Sequence, residues 1–391
     1  MRFNIVGHSF YGKSTGYYNF KKEAIIGGGE VYLYDFAKFL LKEGHDVTVI
    51  QARDKTETFE IDGIRVKGYR PIMRLTGSAG IIERYGLFNL TWKSHLDKNV
   101  DRVHLHDFMH GFPFANKTMT GTCHGITWDN PYWTKLNKQG IQLRMYRTAI
   151  RPIAKYCIKH LKKVIANDTF LLRFVQSEMP QYRENIHVIL NYVKTDIFND
   201  QVTPRFRKEY PSGSKIILFP RNFGYGRGAI NTIEAMRIVI KTHPEAIILM
   251  VGDGPERPLC EQLVEKYHLQ KNVIFLGHKD HFQEMPHFFA SADIVLIPSV
   301  STEGTSLSAL EGMASKKPVV VTNIGGLLDI VIDGFNGAIA KPEPNSMAEK
   351  IIFLLDNPSE AKRLANEGFN WVRSRHNYKL WCKQYKVALD I

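Results

Sequence analysis

The chain has 391 residues, of which 44% are hydrophobic and 23% charged, with a net charge of +13. That is long enough for two or three separately cored domains and too rich in apolar residues for a disordered chain. No apolar run approaches the roughly 18 residues that cross a bilayer, Met1 to Gly7 reads as a short strand rather than a signal region, and Cys123, Cys157, Cys260 and Cys382 stand at no metal or redox spacing, so the expectation is a soluble cytoplasmic protein with reduced thiols.

In chain order, strands are expected at Arg2 to Val6 and Asp46 to Gln51 around a helix from about Gly29 to Glu43, whose Val31, Tyr34, Ala37 and Leu41 recur at helical spacing and which Gly44 stops. His8 to Ile26 reads as a long loop. Further strands are expected at Val103 to His106, Met119 to Cys123, Val164 to Asn167 and His187 to Leu190. After a polar connector, Thr195 to Ser214, strands follow at Lys215 to Pro220, Ala246 to Val251, Val273 to Leu276, Asp293 to Pro298 and Pro318 to Thr322, each trailed by a helical pattern. Each half therefore repeats the strand-then-helix alternation of a doubly wound α/β sheet.

The charge is uneven. Residues 1 to 195 hold 29 Lys+Arg against 17 Asp+Glu, a net of +12, whereas the remainder nets +1, so a negatively charged partner is expected on the first half. Lys135 to Lys163 contains nine basic and no acidic residues, with Arg144, Arg147, Arg151, Lys155 and Lys159 at spacings of three and four. Two readings stand: a solvated helix face, broken at Pro152, or a contact for an acceptor or an anionic membrane surface, which would make the protein peripheral on the cytoplasmic face.

The densest chemistry lies in the second half. Arg221 ends the strand Lys215 to Pro220, and Arg227 closes the turn Gly224-Tyr225-Gly226-Arg227-Gly228; two guanidiniums beside a glycine-rich turn suit a diphosphate. The turn lacks the Gly-x-Gly-x-x-Gly spacing of a dinucleotide site, although Asp253 at the end of the next strand keeps that reading open. Glu303 and Glu311 stand eight apart across a strand-to-helix turn, where a helix N-terminus offers N–H groups to an anion. Ser308-Ala309-Leu310-Glu311 also fits a capping box, in which Glu311 would only close the helix. No Asp-x-Asp pair and no histidine cluster at metal spacing occurs.

Taken in order, Gly27-Gly28-Gly29-Glu30, Gly44-His45-Asp46, Cys123-His124-Gly125, Ile189-Leu190-Asn191, Arg221, Arg227-Gly228, Val251-Gly252-Asp253-Gly254-Pro255, Phe275-Leu276-Gly277, the pair Glu303 and Glu311, and Pro318-Val319-Val320 with Gly325-Gly326 resemble the retaining family 4 glycosyltransferases of GT-B fold over nearly the whole chain. The resemblance implies two Rossmann-like domains facing a cleft, here residues 1–194 for the acceptor and 195–375 for the nucleotide-sugar donor, with a C-terminal helix, 376–391, returning to the first. It implies a metal-independent, cofactor-free transfer of a hexose, with retention, from a UDP-sugar to a glycan or lipid-linked hydroxyl.

By the same resemblance, His124, Glu303, Arg221 and Arg227 are the catalytic group. Gly28, Gly29, Gly252, Gly304, Thr305, Ser306, Leu307 and Glu311 bind the donor, Glu311 through the ribose hydroxyls. Family members usually carry lysine where this chain has Arg227, and many have Phe-Gly in place of Thr305-Ser306. His106, at the end of its own strand, reads as a structural histidine. A nucleotide-sugar epimerase of this architecture and a basic binding protein on an inactive scaffold are the other function classes in view.

Overall fold

The computed structural model describes residues 1–14, 19–25, 27–70, 83–126 and 140–391, and within these the side chains of 13–14, 19–24, 83 and 140–147 are left aside. The chain divides into two compact units, Met1–Ile189 with Tyr385–Ile391, and Leu190–Gln384. The first boundary falls five residues before the one expected at 194, because Leu190 onward is tied to the second unit: the Val193 N–H donates to the His376 carbonyl at 2.7 Å; the second falls at Tyr385, nine residues after the expected 376.

The first unit holds β1 (Arg2–Val6), β2 (Tyr11–Ser14), β3 (Asn19–Ile25), α1 (Gly28–Lys42), β4 (Asp46–Ala52), β5 (Glu57–Ile61), β6 (Ile64–Tyr69), α2 (Phe88–Thr91), β7 (Arg102–Leu105), β8 (Met119–Cys123), α3 (Gly140–His160), β9 (Lys163–Ala166), α4 (Phe170–Glu178) and β10 (Ile186–Val188). Its eight-stranded sheet runs β10-β9-β8-β7-β1-β4-β6-β5, parallel except for β5, which pairs antiparallel with β6. Because the strand order turns back at β1 and β7, a crevice opens beyond the carboxyl ends of these two strands.

The structure departs from the sequence expectations at four points. The segment read as one loop, His8 to Ile26, contains an antiparallel pair, with Tyr11 opposite Ile25 and Ser14 opposite Asn19. The hairpin β5–β6 went unread although its signal is present: Asp62 (φ 50°) and Gly63 (φ 84°) form a two-residue turn with both residues at positive φ, the conformation for which Asp-Gly is favoured. The buried face of α1 centres on Tyr32, Phe36 and Phe39 rather than on Tyr34 and Leu41, and Tyr34 instead donates to Asp62 at 2.8 Å. The helix α3 continues through Pro152.

The second unit holds β11 (Lys215–Pro220), α5 (Ala229–Val239), β12 (Ala246–Val251), α6 (Arg257–Lys266), β13 (Val273–Gly277), α7 (Met285–Ser291), β14 (Ile294–Ile297), α8 (Leu307–Ala314), β15 (Val319–Thr322), β16 (Ala338–Ala340), α9 (Pro344–Asp356) and α10 (Pro358–Arg375). The sheet order is β13-β12-β11-β14-β15-β16, all parallel. Numbered from β11 this is 3-2-1-4-5-6, the dinucleotide-fold order, and its reversal lies between β11 and β14. Side chains alternate along β11, Ile217 and Phe219 entering the core on one face, Ile216 and Leu218 the core on the other, so the strand reads as a continuous apolar run.

The last helix, α11 (Tyr378–Leu389), is divided by the unit boundary between Gln384 and Tyr385. Trp381 packs on Tyr192 and Tyr378 in the second. Tyr385, fully buried, lies against Tyr32, Phe36 and Phe39 of α1 in the first, its hydroxyl meeting those of Tyr32 and Thr122. Tyr385→Phe should weaken the first unit by about 1 kcal/mol through the lost hydroxyl contacts, and Tyr385→Ala by about 3–5 kcal/mol through the cavity. Urea unfolding, with hydrogen exchange of α1 and β4 as the local probe, checks this; equal losses in both variants would contradict it.

Candidate functional site

At the reversal point of the second sheet, three charged side chains meet. Arg221 follows β11 directly, and Glu303 stands in the loop after β14. Glu303 Oε2 accepts from Arg221 Nη2 at 2.6 Å, from Arg227 Nη1, and from Ser299 Oγ at 2.8 Å. Among the described residues no donor is placed on Oε1. Burial favours the neutral carboxyl, but Arg221 and Arg227, with the bonds from Arg221 and Ser299, outweigh it and hold Glu303 below its ordinary range. The carbonyl of Glu303 accepts the Gly326 N–H at 2.8 Å, which pins the loop from its backbone.

The arginines differ in freedom. Arg221 is 7% exposed and Arg227 41%, and Arg221 Nη1 is also held by Ser306 Oγ at 3.1 Å. Arg227 therefore has room to turn toward a ligand while Arg221 stays fixed. The turn that presents Arg227 depends on Gly228, which caps α5 at φ 83° and ψ 19°; a Cβ there would lie 1.9 Å from the Pro298 carbonyl oxygen, so glycine is required both for conformation and for space. The Val300 N–H to the Gly226 carbonyl, 2.9 Å, ties this turn to the loop carrying Glu303.

The helix α8 begins where Gly304, Thr305 and Ser306 lead into Leu307. Ser306 is its cap, its Oγ accepting from the Ala309 N–H at 3.4 Å, so the capping box drawn through Ser308 and Glu311 does not form. Glu311 is buried, with Oε1 3.5 Å from His281 Nε2, and burial pushes His281 down to about 4, leaving it neutral. Thr305 is buried, its Oγ1 accepting the Asn191 N–H at 2.9 Å and its carbonyl the Asn191 side chain. Gly252 ends β12 with its N–H on the Gly277 carbonyl at 2.9 Å. Asp253, which kept the dinucleotide reading open, pairs with Arg257 at 2.9 Å.

In the first unit, Gly28 and Gly29 open α1 beside the crevice of the first sheet. Glu30 is held by Ser9, whose Oγ donates at 2.6 Å, and burial raises its pKa above the usual carboxylate value. His124, just past β8, has both ring nitrogens engaged: Nδ1 with Asn167 Nδ2 at 3.0 Å and Nε2 with the His106 carbonyl at 3.0 Å. His106, read from sequence as structural, lies with its ring 4.4 Å from that of His124. His281 is a neighbour that sequence reasoning missed, since it belongs to no recurring motif.

The basic stripe is only partly described. The side chains of Arg144 and Arg147 lie outside the described residues. Arg151 and Lys155 both pair with Glu178, at 2.8 and 3.0 Å, and sit over the Phe174 ring, so much of their charge is met within the unit. No group of three or more potential metal ligands occurs among the described residues, and no helix among them is long and apolar enough to cross a membrane.

Two family models match in succession: Glycosyltransferase Family 4 over residues 26–197 and Glycosyl transferases group 1 over residues 201–371. An uncharacterized glycosyltransferase of Methanocaldococcus jannaschii is 27% identical over 386 residues, 94% of this chain and 96% of that protein. Among solved structures, the chain is similar to sucrose-phosphate synthase from Thermosynechococcus elongatus, with a TM-score of 0.81 at 20% identity over 99% of this chain and 97% of that one. It is also similar to HepE of Anabaena in complex with UDP and glucose, with a TM-score of 0.72 at 18% identity over 100% of this chain and 99% of that one. At these identities the two structures speak for the fold. With both halves matched in order and both sheets doubly wound, the chain belongs to the GT-B glycosyltransferases of group 1 and family 4.

Proposed function

We propose that this glycosyltransferase moves a hexose from a UDP-sugar, with retention and without a metal ion, to a hydroxyl of a glycan or lipid-linked acceptor. The observation that carries the reading is the convergence of Arg221 and Arg227 on one oxygen of Glu303 at the reversal point of the second sheet. A diphosphate arriving there supplies charge for Arg227, the more exposed guanidinium, while Arg221 remains on Glu303. Negative charge that builds on the departing phosphate then meets preorganised donors, the N-terminus of α8 among them. Glu303 Oε1 accepts from a hydroxyl of the sugar, and Glu311 from the ribose hydroxyls. The fold likeness to HepE, solved with UDP and glucose, supports UDP and a hexose as the donor.

The acceptor belongs to the first unit, whose excess of basic residues attracts an acidic or membrane-held molecule to a protein acting in the cytoplasm. His124 contacts the transferred sugar, and transfer runs as a direct front-face displacement. Thermal shift with UDP-, GDP- and ADP-glucose tests the nucleotide. Proton NMR of the glucose first released from UDP-glucose, before mutarotation, tests retention: α-glucose is expected, and β-glucose would overturn that part.

Glu303→Gln and Arg227→Ala should each cut turnover tenfold or more, because a charge-assisted contact in such a site is worth about 1.5–3 kcal/mol. Glu303→Gln also removes the counter-charge of buried Arg221 and should cost about 3 kcal/mol of stability at neutral pH. Since the folded protein lowers the Glu303 pKa, its ionised form stabilises the fold above the ordinary value of 4.5 and loses that effect as pH falls through the lower folded value. The stability gap between wild type and variant, followed by urea unfolding, should therefore close on acidification below 4.5. A gap that is constant with pH would show that Glu303 is not held as an ion.

Turnover should persist in excess EDTA. Loss in chelator, restored by magnesium or manganese, would mean that a metal takes part.

A further inference from the structure

A run of hydrogen bonds in the first unit leads from the C-terminal helix to His124. His104, buried in β7, places Nδ1 2.9 Å from Thr120 Oγ1 and Nε2 2.9 Å from Thr122 Oγ1. Thr122 Oγ1 is 3.3 Å from the Tyr385 hydroxyl, which meets the Tyr32 hydroxyl. Tyr32 donates to Asn167 Oδ1 at 3.3 Å, and Asn167 Nδ2 reaches His124 Nδ1 at 3.0 Å. The run ends where His124 Nε2 meets the His106 carbonyl at 3.0 Å.

That terminal contact sets the direction of the whole. A carbonyl oxygen only accepts, so Nε2 of His124 carries the proton, and Nδ1 of the neutral ring must accept. Asn167 therefore turns its amide nitrogen toward His124 and its oxygen toward Tyr32. Tyr32, having given its one proton, accepts from Tyr385, and Tyr385 accepts from Thr122. The reversed amide would set the Nε2 lone pair against the His106 oxygen. All members are neutral: burial lowers His104 to about 3 and His124 to about 4. Among the described residues, Asp107 favours a charge on His124 and Arg84 opposes it. His106 Nδ1 stands 3.3 Å from Nε2, and Tyr32 on α1 meets the ring edge-on at 4.9 Å.

We propose that Asn167 is the positioning residue of His124, fixing its Nε2–H tautomer, and that Tyr385 holds Asn167 in the amide orientation that does so. This rests on the reading that His124 contacts the transferred sugar. Glycosyl transfer passes through an oxocarbenium-like centre, which an adjacent imidazolium would repel. A ring kept neutral and aimed serves that step.

Long-range proton–nitrogen NMR of the full chain labelled at histidine reads the tautomer directly, with the His124 signal identified as the one lost in His124→Gln. Wild type should show a neutral Nε2–H ring between about pH 5 and 8. In Asn167→Asp the carboxylate accepts from Nδ1–H, so His124 should titrate at least about one unit higher. UDP release from UDP-glucose should then fall about tenfold in kcat below that midpoint, with KM changed less than about twofold. Tyr385→Phe should lower kcat about two- to fivefold and add a minor Nδ1–H population.

A wild-type ring in the Nδ1–H form would overturn the proposal even if Asn167→Asp failed to fold, as would an Asn167→Asp enzyme with wild-type spectrum and kcat. A changed spectrum with unchanged kcat would overturn its catalytic half. No UDP release by wild type would instead sink the UDP-glucose reading, and the spectra would still decide the positioning.

Discussion

A buried carboxylate between two guanidiniums is the constraint on which the second unit depends. Arg221 and Glu303 are each less than a tenth exposed, and neither could be buried alone without a large desolvation cost. Together with Arg227 and Ser299 they form a set in which one carboxylate faces two cations, leaving an excess positive charge at the carboxyl edge of the sheet. Such an excess in a low-dielectric site is an invitation to an anion. The scaffold that holds it is backbone: a glycine cap at Gly228, the Gly226 carbonyl on the Val300 N–H, and the Glu303 carbonyl on the Gly326 N–H.

The first unit manages its polar interior differently. His104, His106 and His124 are all held neutral, mainly by burial, and the polar atoms of His104 and His124 are met by directed hydrogen bonds. The two clusters thus differ in kind, an excess of positive charge at the carboxyl end of β11 in the second unit and neutral, hydrogen-bonded rings in the first. The charged cluster sits at the strand-order reversal of its sheet, where neighbouring strand ends diverge and leave the backbone open to a ligand, and His106 follows β7, one of the two strands at the reversal of the other.

Much of the parallel framework was legible. The expected bounds of β1, β8, β11 and β12 coincide with the observed ones, and β11 and β12 stood out because a strand buried on both faces reads as a continuous apolar run. What was missed lies at the margins. The hairpin β5–β6 is half exposed and polar, so its alternation was weak beside the Asp-Gly turn that marks it. The pair β2–β3 has no apolar period at all. Of the face expected for α1, Val31 and Ala37 are buried and Tyr34 and Leu41 are not, because aromatic and aliphatic residues occur nearly all round that helix and the sheet and Tyr385 decide which side is covered.

For the site, local sequence, through its motifs and the resemblance they carry, singled out Arg221, Arg227, Glu303, Glu311 and His124 as candidates, while the hydrophobic pattern placed only the strands and helices around them. It could not say that the two arginines share one carboxylate oxygen, that Ser306 rather than Ser308 caps α8, that Glu311 answers to His281, or that His124 answers to Asn167 and, through Tyr32, to Tyr385. Apart from the local cap at Ser306, these partners lie tens to hundreds of residues apart in the chain. Periodicity and capping are properties of neighbours along the backbone, whereas the pairing of charges and the sense of a hydrogen bond are set only when distant strands come to lie side by side.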